Sequence, residues 1–375
     1  MKIKTITCHD VYNYGASLQA YALQEFLKKC GCEVQIIDYL PDAYGTRYET
    51  FKFKCKSGKV FRICKVLPFL KPLFALWWHR KDIPFLGRAK RFRNFKREYL
   101  NCTRTYHSFR ELNESPIDAD MFIAGSDQIW NTQYLNGKDP AFYCDFIKGN
   151  QVCISYAASF GINNIKEGYE DFVKKQLSKF YAISVREKTG EKIIESLGLK
   201  AVTVLDPVLL LTKEEWNSLL NKEFKGNYLL LYDFQMDNPL VKKMVIEIAK
   251  TRHLKIYSVN DWRQCPYADR NINNAGPIEF LELISEAQFV ISTSFHATVF
   301  SVIFEKQFIT FPLLGHNNSS RMKDFLSEFG LSNRFVENEP YNISDIDYTI
   351  INKLLSLRQA KSRNWLIHTI SGYNH

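Results

Sequence analysis

Several short stretches of this chain carry residue types that do chemistry. The run Val290-Ile-Ser292-Thr-Ser294-Phe295-His296-Ala-Thr298 reads as an apolar strand, a turn rich in hydroxyls, and a histidine where a helix begins. A helix N-terminus offers unbonded N–H groups and positive potential, so an anion and a proton-carrying imidazole suit the same place. His296 is the candidate acid–base residue on that ground, and a histidine satisfied within the core is the competing reading. Ser184-Val-Arg186-Glu187 ends a strand with a guanidinium whose planar fork fits a carboxylate or phosphate, or pairs with a neighbouring acid. Gly315 to Lys323 sets small polar residues and two cations, Arg321 and Lys323, ahead of a helix, a second anion cradle.

Two further stretches suit a polyhydroxy ligand. His9 to Gln24 leaves the first strand and opens a helix at Asn13-Tyr-Gly15, where glycine permits close approach of the backbone to a ligand. Gly125-Ser126-Asp127-Gln128-Ile-Trp130-Asn131 brings a carboxylate, two amides and an indole together, which are hydroxyl partners and a flat apolar face for a sugar. A helix-capping Asp127 is the plainer alternative. Asp206, between an apolar strand and Pro207, reads as the organiser of a turn. There is no G-x-G-x-x-G and no paired C-x-x-C spacing, so neither a dinucleotide signature nor a metal ligand set is read.

The elements that would hold these residues alternate. Apolar, β-rich runs such as Ile3 to Cys8, Val34 to Asp38, Met121 to Ala124 and Val152 to Ala157 are separated by helical patterns, the mark of parallel βαβ units. Near residues 223–227 the chain turns and a second series begins with Tyr228 to Tyr232. The expectation is two α/β Rossmann-like domains, 1–222 and 223–345, with a helical segment 346–375 that crosses back. Open parallel sheets bind ligands beyond the carboxyl ends of their strands, which places the site in the cleft between the domains.

Composition narrows the class. The chain has 375 residues, is 46% apolar, and carries nine cysteines in no disulfide-like pattern, which points to reduced thiols and a cytoplasmic setting. Its opening residues read as a strand rather than a signal peptide, and no run is long and apolar enough to span a bilayer. The net charge of +10 is concentrated: Lys52 to Arg97 holds 15 basic residues against one acid, interleaved with nine Phe and Trp, inside an insertion at about 51–110. That pattern suits anionic lipid headgroups and the apolar layer beneath them, so peripheral attachment to the inner face of the cytoplasmic membrane is expected, and not binding to nucleic acid.

Taken together, Asn13 to Leu23, Gly125 to Asn131, Ser155-Tyr-Ala-Ala-Ser-Phe-Gly161, Ser184 to Glu187, Leu205-Asp-Pro-Val208 and Ser292 to Ser301 resemble the polysaccharide pyruvyltransferase family, in order and over nearly the whole chain. The resemblance implies a fold similar to two-domain glycosyltransferases of the B type. It also implies transfer of the enolpyruvyl group of phosphoenolpyruvate, a co-substrate with no further cofactor, onto a hexose such as galactose at O4 and O6 of a lipid-linked saccharide. By the same resemblance His296 is catalytic and Arg186 and Arg321 bind the donor; from the residue types above, Ser294, Lys323 and Gly15 are placed on the donor side and Asp127, Gln128, Trp130, Asn131 and Asn13 on the acceptor side. One departure stands out, because similar chains often carry arginine where this one has Ser294. A nucleotide-sugar glycosyltransferase and a catalytically silent saccharide-binding protein are the alternatives.

Overall fold

The computed structural model describes residues 1–41, 85–315, 320–339 and 344–373. Most of the basic, aromatic stretch, and His316 to Ser319 of the second anion cradle, lie outside the described residues. The first sheet is built from β1 (Lys2–Ile6), β2 (Glu33–Tyr39), β3 (Cys102–Tyr106), β4 (Met121–Ala124) and β5 (Val152–Ser155), in the order β3-β2-β1-β4-β5 with every pair parallel. Two short strands, β6 (Ser184–Val185) and β7 (Val202–Thr203), extend it through the bridges Ile154–Ala182 and Ala158–Val185. The second sheet repeats that order with β8 (Tyr228–Tyr232), β9 (Lys255–Val259), β10 (Arg270–Ile272), β11 (Phe289–Ser292) and β12 (Gln307–Thr310), as β10-β9-β8-β11-β12. The expected pair of parallel α/β sheets is therefore present. Strands such as β8, with sequence YLLLY, are buried along their whole length, as strands covered by helices on both faces must be.

The helices used below are α1 (Tyr14–Lys29), α2 (Leu86–Tyr99), α3 (Lys188–Ser196), α4 (Lys213–Asn217), α5 (Pro239–Thr251), α6 (Pro277–Glu286), α7 (Phe295–Ile303), α8 (Ser320–Glu328) and α9 (Tyr348–Gly372). In each sheet the strand order reverses beside the first strand, between β1 and β4 and between β8 and β11. Those switch points open crevices where ligands bind. The loops that leave β1 and β4 carry Asn13 and Asp127, the loop that leaves β11 carries Ser294, and Gly15 and His296 stand in the first turns of α1 and α7 that follow.

The sequence reading differs from the structure at the end of the insertion. The insertion read at about 51–110 assigns no strand, yet its last residues form α2 and the edge strand β3, paired to β2. The polar run CTRTY of β3 hid the strand, because an edge strand on one side of a sheet needs little apolar surface.

The two domains share one apolar core, in which Tyr14 and Leu18 of α1 join Phe280 of α6 and Phe295 and Phe300 of α7. Tyr14 stacks on Phe280 with ring centroids 4.3 Å apart and donates its hydroxyl to the Ala275 carbonyl at 3.2 Å. Buried Arg88 of α2 reaches across to Asp261 at 2.8 Å and also donates to the Tyr14 hydroxyl. The long helix α9 runs back over the first domain, where the Ser362 hydroxyl accepts the Leu205 N–H at 3.0 Å and Arg363 donates to the Leu210 carbonyl.

A buried polar knot fastens α2 to the carboxyl ends of β1 and β2. Asp38 accepts from Lys96 at 2.7 Å and from the Thr105 hydroxyl at 2.6 Å, and faces His9 Nε2 at 3.0 Å, while Lys96 also reaches Asp10. His9, Asp38 and Cys102 stand close enough to ligate one metal ion. The Lys96 ammonium, however, already supplies the positive charge that Asp38 needs there. Burial opposes charge on His9, but Asp38 and Cys102 overcome it and push the imidazole up to about 9. A pKa raised on folding stabilises the protein fully below the unfolded value of about 6.5 and loses that contribution as pH rises through about 9. Urea unfolding at pH 7 and pH 10 should show a fall of roughly 2–3 kcal/mol from this group, and His9→Phe should flatten that part of the pH dependence.

Candidate active site

The site is assembled where the two switch points meet. Ser294, extended at φ −103°, caps α7, and its hydroxyl accepts the Ala297 N–H at 3.5 Å. That cap places His296 in the first turn of the helix, buried, with its ring lying on α1 of the other domain. The fit there is close: a β-carbon at Gly15 would stand 1.9 Å from His296 Nδ1 and 2.2 Å from Cγ. Only glycine allows the imidazole to rest on that backbone.

The opposite edge of the ring faces Asp206. His296 Nε2 lies 3.4 Å from Asp206 Oδ2, an ion-pair distance without hydrogen-bond alignment. The same oxygen accepts from Arg186 Nη1 at 2.7 Å and from the Ser126 hydroxyl at 3.3 Å. The other carboxylate oxygen accepts the Val208 N–H at 3.0 Å and so caps its own turn. Burial alone would raise the Asp206 carboxyl, but the His296 and Arg186 charges override it and hold the group well below the usual carboxylate range. Reading Asp206 as a turn former captured only that second oxygen.

Arg186 and Arg321 converge on Phe295 from the two domains, their guanidinium carbons 4.6 and 5.6 Å from its ring centroid. Glu187 lies 3.8 Å from Arg186 Nε, with its other oxygen clamped by the Ser159 hydroxyl and the Phe160 and Gly161 N–H groups. Arg186 keeps Nε and Nη2 without hydrogen bonds among the described residues. Arg321, on α8, is buried, makes no ion pair among the described residues, and is pushed down to about 10 by burial and then by the neighbouring Arg186 charge. Two buried guanidiniums with N–H groups to spare, beside a histidine and two helix N-termini, have the chemistry that an anion would need.

Other expected contacts are elsewhere. Lys323 lies two residues beyond Arg321, about 200° around the helix, and pairs with Glu337 at 2.9 Å while covering the Phe335 ring. The Ser294 hydroxyl is spent on its helix cap. Trp130 is wholly buried, stacked on Tyr143, with its indole N–H given to the Phe142 carbonyl, so no ring face is left for a sugar. Asn131 bonds Gln128 Oε1 and the Gln133 N–H and shapes the loop. Gln128 packs against Gly161, and exposed Asn13 caps α1 by accepting the Ala16 N–H. Asp127 sits half-buried in the left-handed region at φ 70°, and its charge acts on both Arg186 and Arg321.

The polysaccharide pyruvyl transferase family matches residues 13–313, which include Gly15, Asp127, Arg186, Asp206 and His296. The chain belongs to this family. It is an enzyme family, and this member carries Arg321 just beyond the matched stretch. No curated protein sequence matches the chain. Among solved structures, a UDP-N-acetylglucosamine 2-epimerase aligns at 9% identity over 99% of this chain and 96% of its own, with a TM-score of 0.53. The MnaA–UDP co-structure from S. aureus aligns at 12% identity over 99% and 96%, with a TM-score of 0.50. E. coli ADP-heptose LPS heptosyltransferase II aligns at 11% identity over 96% and 99%, at 0.36. The first two are similar to this transferase in fold.

Gly15→Ala should cost the enzyme about 10²-fold in turnover, by moving the imidazole by the order of 1 Å. In a His296→Ala background the same change should cost no further activity, which steady-state rates of the four variants will check. Asp206→Asn removes the nearer of the two carboxylates that face buried Arg186 and should lower unfolding stability by about 3 kcal/mol in urea titration.

Proposed function

We propose that this transferase moves the enolpyruvyl group of phosphoenolpyruvate onto two hydroxyls of a hexose, galactose at O4 and O6 being the first candidate, within a lipid-linked saccharide. The observation that carries the reading is the pair of buried, incompletely bonded guanidiniums, Arg186 and Arg321, set beside His296. Phosphoenolpyruvate carries a phosphate and a carboxylate, and two cations from different domains suit its two anionic ends. Donor binding then rests on Arg186 and Arg321, while Gly15, expected on the donor side, instead seats the His296 ring.

In this reading His296, oriented by Asp206, delivers a proton to the donor's methylene carbon and leaves a cation at C2. One sugar hydroxyl adds to C2 and gives up its proton. Phosphate then leaves with the C2–O bond pair, and the second hydroxyl closes the ketal and gives up its own proton. The two hydroxyl protons balance the one added to carbon and the one taken by phosphate. Asp127, a carboxylate on the rim near both arginines, is the acceptor-side residue that bonds the attacking hydroxyl. The enzyme works at the inner face of the cytoplasmic membrane, held there by the basic, aromatic stretch.

The experiment is acceptor-dependent phosphate release from phosphoenolpyruvate with a panel of aryl and lipid-linked galactosides, with mass spectrometry of the acceptor. A pyruvate-ketal mass gain is expected, reduced about 10²- to 10⁴-fold in His296→Ala. Arg321→Met should raise the KM for phosphoenolpyruvate more than it lowers kcat. Because one fold relative was solved with UDP, nucleotide sugars form the control arm. Protection against heating by a nucleotide diphosphate sugar and not by phosphoenolpyruvate would overturn the proposal in favour of a glycosyltransferase.

A further inference from the structure

The last helix is apolar on two opposite faces. Ile351, Leu355, Leu366 and Ile370 of α9 are buried against the two domains. On the other side Ile350, Leu354 and Leu357 are 67%, 37% and 69% exposed. At ~100° per residue these three fall within about 60° of one another, and Lys361 and His368 continue the same line. A helix that covers one face needs only one apolar stripe, so a second stripe facing outward is built to be covered.

Charge identifies the cover. The 25 residues of α9 contain Lys353, Arg358, Lys361 and Arg363 and not one acid. Arg358 is spent on Glu328 and Arg363 on the Leu210 carbonyl, whereas Lys353 and Lys361 stand exposed beside the stripe. The nearby acids are engaged elsewhere: Glu305 with Lys213 and Asn352, Asp345 with Arg252, and Asp347 with the Thr349 N–H of the helix it caps. A second copy packed symmetrically on this face would set lysine against lysine with no acid of α9 to pair them. An anionic bilayer supplies both needs, phosphates for the lysines and an apolar layer for Ile350, Leu354 and Leu357.

We infer that the outward face of α9 is a docking surface for anionic lipid, separate from the basic stretch at 52–97 and independent of the donor and acceptor proposed above. Among the described residues no helix is long and apolar enough to cross a membrane, so α9 lies on the surface. The contact would span both domains, because the first half of α9 packs on the second domain through Tyr348 and the second half on the first through Ser362.

The test is flotation of the full-length protein with vesicles of phosphatidylcholine alone or with 30% phosphatidylglycerol, of which the second should bind. Ile350→Ser/Leu354→Ser/Leu357→Ser and, separately, Lys353→Glu/Lys361→Glu should each weaken binding about tenfold or more, with the 52–97 stretch intact in both. Neither variant touches the cleft, so turnover of a water-soluble acceptor should be unchanged, and circular dichroism should match the parent. Wild-type binding in both variants would overturn the inference. So would light scattering that shows a dimer in the parent and a monomer in the triple-serine variant, since a second copy would then be the cover.

Discussion

The carboxylate of Asp206 is the point on which both halves of the site depend. One of its oxygens closes the turn that carries it, and the other faces Arg186, Ser126 and His296, groups delivered by three different elements. A buried carboxylate would ordinarily take up a proton, and this one is held in its charged form by the His296 imidazole and the Arg186 guanidinium that face it. In return it holds Arg186 in place inside the protein and gives one edge of the His296 ring a fixed partner. The other edge is fixed by absence of bulk, at Gly15. The imidazole is thus set by a charge on one side and a bare backbone on the other.

Both of those contacts cross the domain boundary, so the site exists only while the domains are docked. Docking is secured mainly by an apolar and aromatic interface around Tyr14 and Phe280, with Arg88 and Asp261 buried at its edge. Burial pushes the Asp261 carboxyl up while the Arg88 charge opposes it, so the ion pair contributes more to register than to net stability. Its partner helix α2 is tied down in turn by the Lys96–Asp38 contact. A chain of buried polar contacts therefore runs from the edge of the first sheet to the interface, and α9 closes the arrangement from the far side through Ser362 and Arg363.

The fold was legible because long apolar strands alternating with helices leave few parallel arrangements. His296, Arg186 and Gly15 were legible for a related reason: each follows a strand at the end where such sheets bind ligands. Asp206 was not, since its visible pattern, an acid before proline, already has a sufficient local cause, and its other partners lie 20 and 80 residues away along the chain. Trp130 misled in the opposite sense. Its neighbours in the motif are polar, but the first residues past β4 still pack beneath the sheet, and the large ring fills that space. Lys323 could have been excluded from spacing alone, because residues two apart on a helix point in nearly opposite directions.

Ser294 shows how a chain can lack a cation just before the histidine and still bring two guanidiniums to its neighbour Phe295. The residue preceding a helix's first turn must be extended and is best small and polar, and Ser294 meets both conditions, which is what lets the helix begin at Phe295 and place His296 against α1. The positive charge is supplied instead from farther along the chain, by Arg321 of α8, on the opposite side of Phe295 from the first domain's Arg186. Arg186 is largely neutralised by Asp206 and Glu187, so on its own it would hold an anion weakly. Arg321 has no such partner among the described residues and is repelled by Arg186, and a bound phosphate or carboxylate between them would relieve both. On the proposed donor reading, the repulsion between two buried guanidiniums is what favours an anion in this pocket, and the charge balance around Asp206 is what sets the histidine beside it.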